Sequence, residues 1–167
     1  EKQLENVEFD LIECWEDMCS KNGSIISPAM FREFMAPNYR RIRAFANAHD
    51  IPIVLVDSDG NIEKLAELML EAGVNAMYPY EILAGNDLDE ARERLPGMAA
   101  IGGLKKEAMA EGDEAVEFEM ERAAHLIRKG KFIPGPDHFV QSHTSWPQYR
   151  HFMARLREVV LSTPVEA

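Results

Sequence analysis

Ile51-Pro52-Ile53-Val54-Leu55-Val56-Asp57-Ser58-Asp59-Gly60 is the stretch that decides the fold. A mostly β-branched apolar run ends abruptly in two aspartates and a glycine. A short apolar run without polar interruption suits a parallel strand buried on both faces. Four other stretches share this design: Val7–Cys14, Ala76–Tyr80, Met98–Ile101 and Lys131–Pro134. Each ends in polar, acidic or glycine-rich residues, and helical patterns lie between them.

The helical patterns are read from spacing and punctuation. Ser27-Pro28 is a helix start, with serine as cap and proline in the first turn. Phe31, Phe34, Met35, Asn38, Ile42, Phe45 and Ala46 follow as one face. Pro37 removes a backbone donor inside that helix, which predicts a kink or two helices meeting near Ala36. Leu65, Leu68, Met69 and Ala72 mark a second helix, closed by Gly73. Asp87–Leu95 reads as a short helix stopped by Pro96-Gly97, and Asp113–Lys129 as a long one. Ser145 caps a last helix with Tyr149, Phe152, Met153, Leu156 and Val160 as its buried stripe.

Alternating strands and helices with short connections mean an α/β fold with a parallel sheet and right-handed crossovers. A complete eightfold barrel typically needs ~250 residues. The chain has 167, enough for about half of one, so residues 1–167 are read as a single partial domain. The first residue is Glu1 rather than Met, which is the expectation for a processed or truncated piece. A half-barrel exposes two raw sheet edges. This predicts a homodimer or a missing N-terminal half.

The formal charge is −11, from 29 acids against 18 bases. Such a surface repels phosphate backbones and anionic lipids, arguing against nucleic-acid and membrane partners. No apolar run approaches the ~20 residues of a membrane helix, and Glu1–Glu5 carry no signal pattern. Cys14 and Cys19 are too few for a disulfide framework, so a reducing cytoplasm is the expected compartment.

Ligands of parallel α/β folds bind beyond the carboxyl ends of the strands, so the residues there are the site candidates. Asp57 and Asp59 alternate and face one side. Two such carboxylates can share a proton, bind a hard cation or hold a basic group; otherwise Asp59 is only a helix cap. His138 follows the rigid Pro134-Gly135-Pro136-Asp137 run and suits proton transfer or a hydrogen bond to a carboxylate; otherwise it is a loop residue satisfied by Asp137. Asp57, Asp59 and His138 are the catalytic candidates. Glu16, Glu81, Asp137 and the Gly102-Gly103 pair are candidates for substrate binding. No metal site is read, since the two cysteines lack histidine or cysteine at zinc-ligand spacing.

Most of the chain, from about Glu13 to Val160, resembles the C-terminal half of uroporphyrinogen decarboxylase-like proteins. The resemblance rests on Glu16-Asp17-Met18, Lys21-Asn22-Gly23, Ile26-Ser27-Pro28 with Phe31-Arg32-Glu33-Phe34, and Ser58-Asp59-Gly60-Asn61-Ile62. Glu71-Ala72-Gly73-Val74, Gly102-Gly103-Leu104, Ile133-Pro134-Gly135-Pro136-Asp137-His138 and Tyr149-Arg150-His151-Phe152 complete it in order. It implies a (β/α)8 barrel of which this chain supplies the last four or five units. It also implies a tetrapyrrole or corrinoid-linked substrate, possible partnership with a corrinoid protein, and either methyl transfer or cofactor-free decarboxylation. Within the family, the uncharacterised members near corrinoid methyltransferases are the better likeness. His138 resembles the histidine that contacts substrate in the decarboxylases. Asp57 and Asp59 stand where zinc-dependent methyltransferases carry a His-x-Cys pair, so zinc activation of a thiol is disfavoured. A different class of reading, a non-catalytic half-barrel that serves assembly, also fits the short length.

Overall fold

The computed structural model describes residues 7–166; the Glu1–Glu5 stretch read above for a signal lies outside them. Five parallel strands form one sheet in the order β1 (Leu11–Trp15), β4 (Ile53–Asp57), β5 (Ala76–Tyr78), β6 (Ala99–Leu104), β7 (Phe132–Pro136). Between β1 and β4 come a small antiparallel hairpin, β2 (Cys19–Ser20) and β3 (Gly23–Ser24), and then α1 (Pro28–Met30) and α2 (Ala36–Ala48). Helices α3 (Glu63–Glu71), α4 (Leu88–Arg94), α5 (Ala108–Glu111), α6 (Asp113–Arg128) and α7 (Trp146–Ser162) follow. The alternation and strand order are those of part of a (β/α)8 barrel.

The two faces of the sheet differ. Ile12, Cys14, Val54, Val56, Met77, Ala100 and Phe132 pack with helix residues such as Leu65, Met69 and Leu126 in one core. The alternate positions Glu13, Trp15, Asp57 and Tyr78 line an open cavity on the opposite face. Trp15 and Tyr78 are both in register with Asp57. A second core under α6 and α7 joins Leu104, Met120, Phe152 and Leu156. Among the described residues, no helix is long and apolar enough to cross a membrane.

Several expected details shift. The first strand begins at Leu11, not Val7, because its partner β4 begins at Ile53 just past Pro52, which has no N–H for the ladder. Around Pro37 the chain stays helical through a π turn, Phe31–Met35, where the Ala36 amide reaches back to the Phe31 carbonyl. That turn adds a residue and rotates the following face. Tyr39 and Ala36 are therefore buried, while Phe34 is 62% exposed. In α7 the inward stripe takes Val159 rather than Val160.

The largest difference concerns Gly102 and Gly103, which lie inside β6 rather than after it. The strand runs on because β7 pairs with it as far as Leu104 opposite Pro136. Both glycines have positive φ, and a Cβ on Gly102 would stand 2.4 Å from the Pro79 carbonyl oxygen. Here β6 and the end of β5 approach too closely for any side chain.

Candidate functional site

The loop leaving β4 is fixed before it reaches its acids. The buried Ser58 donates its amide to the Tyr78 carbonyl, and its hydroxyl accepts from the Met18 amide at 3.1 Å. Glu16 donates its amide to the Asp57 carbonyl at 2.9 Å. Asn86 accepts from the Ile62 amide and donates to the Gly60 carbonyl. Asp59 does not cap the following helix, whose cap residue is Ile62; the Glu63 amide donates to the Asn61 side chain instead. Asp59 is thereby free for another partner.

That partner is His138, with Nε2 3.0 Å from Asp59 Oδ2. The two residues come from the loops after β4 and β7, 79 positions apart in sequence. They border the same cavity, of about 380 Å³, as Asp57, Glu13, Asp17, Trp15, Tyr78 and Phe139. Among the described residues, no lysine or arginine lines it. Trp15 and Phe139 are 76% and 78% exposed, so two aromatic faces flank the acids.

Asp57 is the electrostatically unusual member. Burial pushes its carboxyl up to about 6, and the charges of Asp59, Glu13 and Asp17 add to the rise while His138 opposes it. Among the described residues, no hydrogen-bond donor reaches its side chain. A carboxylic acid that keeps a proton close to neutral pH is a proton donor in waiting. Tyr78 is raised as well, by burial first and then by Asp57.

The other candidates lie elsewhere. Glu16 turns outward and accepts from the Tyr39 hydroxyl at 2.5 Å. Glu81 accepts from the Gly60 amide at 3.3 Å and pairs with Lys106 at 3.4 Å. Asp137 is fully buried and accepts from the Ile82 and Lys106 amides at 2.8 and 3.0 Å. The Lys106 ammonium is 3.6 Å from it and 3.3 Å from Glu107. Burial of Lys106 opposes its charge, but Asp137, Glu107 and Glu81 outweigh that and hold its pKa above the ordinary lysine value. Gly102 and Gly103 are buried strand positions. Thus Asp57, Asp59 and His138 converge, while Glu16, Glu81, Asp137 and the glycines brace the structure around them.

Trp15, Tyr78, Phe139, Glu13 and Asp17 complete the cavity. Glu13 and Asp17 are acids that the sequence already places after the first strand, and Trp15 was findable by the same alternation that paired Asp57 with Asp59. Lys106 had no such signal, since Lys105-Lys106 reads as a solvated charged pair. Cys14 and Cys19 pack against the helix-side core, and burial pushes both thiols up. Among the described residues, no group of three or more histidine, cysteine or acidic side chains is placed to hold a metal ion.

Known proteins bear on this geometry as follows. The profile of the family "Uroporphyrinogen decarboxylase (URO-D)" matches residues 12–159. No curated protein matches the chain. Among 21 matching solved chains is a "methyltransferase from Methanosarcina mazei", with TM-score 0.64 and 17% identity. The match covers 90% of this chain and 42% of that one, so the present chain spans less than half the length of that relative. At this identity the likeness concerns the fold.

Proposed function

Because the chain belongs to the uroporphyrinogen decarboxylase family, we propose that it forms part of an enzyme acting on a tetrapyrrole or corrinoid-linked substrate, with methyl transfer as the reaction. The observation that carries this reading is the cavity where Asp57, Asp59 and His138 meet without a lysine or arginine among the described residues. A substrate bearing many carboxylates would face Glu13, Asp17, Asp57 and Asp59 with no lysine or arginine among the described lining residues to receive it. A neutral or hydroxylated methyl carrier meets no such penalty.

In this reading the chain's residues handle the proton and the orientation. Asp57, raised to about 6, delivers a proton to the leaving oxygen of a methoxylated donor. His138, held by Asp59 through Nε2, keeps Nδ1 to accept or return a proton. Trp15 and Phe139 offer flat apolar faces that fit a macrocycle at the rim. When bound, a corrinoid would supply the metal centre that carries the methyl group. Removal of a tetrapyrrole carboxylate is the second reading, supported by the same proton donor.

The exposed Trp15 and Ile133, together with the edge strands β1 and β7, support association with a second copy or with an upstream half. Light scattering should then show a dimer of the 167-residue chain; a monomer at high concentration counts against it. The functional test is titration with cobalamin and with a porphyrin, followed by absorbance. It is run on this chain and on one extended upstream. A cobalamin spectral change that His138→Gln weakens is the expected result. If neither ligand responds at either length, the enzyme reading fails and the assembly reading replaces it.

A further inference from the structure

We propose that Lys106 and Glu107, in the turn after β6, clamp both ends of the loop that carries His138 and so set its imidazole against Asp59. They are positioning residues, and the role rests on the reading of His138 and Asp59 as the reactive pair.

The inference starts from what does not hold the loop. After Asp137 the chain continues with His138, Phe139 and Val140. Phe139 and Val140 are 78% and 41% exposed, so apolar burial provides little anchorage. Yet the His138 ring sits 3.0 Å from Asp59. Its placement must come from the residues on either side.

On the near side, Asp137 is held from several directions. Its amide donates to the Leu104 carbonyl at 2.8 Å, and its carboxylate accepts from the Ile82 and Lys106 amides. The Lys106 ammonium supplies the counter-charge. On the far side, Gln141 donates through Nε2 to Glu107 Oε1 at 2.9 Å. The same oxygen lies 3.3 Å from Lys106 Nζ. Two adjacent residues thus grip positions 137 and 141.

The electrostatics require a cation at position 106. Asp137, Glu81 and Glu107 all lie within 3.6 Å of its ammonium nitrogen. Without it, three carboxylates would share a poorly solvated space and repel one another. Glu107 also leaves its Oε2 buried with no partner among the described residues. That cost is retained at a position whose other oxygen binds both Lys106 and Gln141.

The test reads the His138–Asp59 hydrogen bond directly, by long-range proton–nitrogen spectra of the full chain labelled at histidine. In the wild type, Asp59→Asn should shift the His138 Nε2 resonance. In a Lys106→Met background that response should be lost, and in Lys106→Arg, which keeps the charge, it should return. Glu107→Ala should also lose it, and decides the matter if Lys106→Met does not fold. An undiminished response to Asp59→Asn in the Lys106→Met and Glu107→Ala backgrounds overturns the clamp. A failure of the functional reading looks different: no cobalamin or porphyrin response, with the His138–Asp59 coupling intact.

Discussion

Asp57 and Asp137 are both aspartates at the carboxyl end of a parallel strand, and the protein surrounds them in opposite ways. Asp137 is fully buried, with two backbone amides and an ammonium directed at its carboxylate. Asp57 borders an open cavity, faces Asp59, Glu13 and Asp17, and holds its proton up to about 6. Position at a strand end is therefore common to a structural acid and to the one proposed here as functional. Satisfaction separates them: a carboxylate whose lone pairs are filled by the fold has no capacity left for a ligand.

This contrast breaks first at the buried member. Asp137→Ala removes the acceptor of two amides and the partner of a buried ammonium, and should cost about 3–5 kcal/mol. Asp57→Ala, which breaks no hydrogen bond among the described residues, should stay within about 1 kcal/mol. Urea denaturation of both variants measures the gap, and equal losses would erase the distinction drawn here. At the cavity the ranking inverts. His138→Gln should lower turnover by roughly 10²-fold or more while changing stability by less than about 1 kcal/mol, since the Asp59–His138 pair is partly exposed. A variant that loses stability and activity in step would make His138 structural.

The glycines of β6 offer a smaller test of the same distinction. Gly102→Ala places a Cβ against the Pro79 carbonyl at a φ of +94° and should destabilise by about 1–3 kcal/mol. If the pair served ligand approach instead, Ala would weaken binding and leave the denaturation midpoint in place.

How far the sequence could be read follows the range of the forces involved. Strand and helix order was legible because burial imposes periodicity on neighbouring residues; Leu65, Leu68, Met69 and Ala72 all proved buried. The convergence of Asp57, Asp59 and His138 was legible because topology alone gathers strand ends. What failed depended on contacts distant in sequence. Gly102-Gly103 looked like a loop because nothing in Met98–Leu104 announces that Pro79 lies against it. Lys106 went unnoticed because its partners, Glu81 and Asp137, lie 25 and 31 positions away. Tyr39 was missed because a π turn shifted the phase of the helix, and Phe34, Asn38 and Phe45 of the expected face are exposed.

The finest discrimination comes from pH, where Asp57 should act against the fold. Its carboxyl titrates at about 6 in the folded protein and at 3.8 without perturbation. Below pH of about 4 the acid is protonated in both states, and its contribution to stability is fully present. As pH rises toward 6, the unfolded chain releases this proton while the folded chain resists, so the contribution is lost. Asp57→Asn cannot ionise and escapes that loss. The melting temperature of the variant relative to wild type should therefore climb between pH of about 4 and 6 and level off above. With solvent screening reducing the effect to about 1 kcal/mol, the climb amounts to about 2–4 °C. A flat difference across that range would mean that Asp57 is neither desolvated nor repelled by Asp59, Glu13 and Asp17. The chain would then have lost its proposed proton donor, and with it the contrast between Asp57 and Asp137.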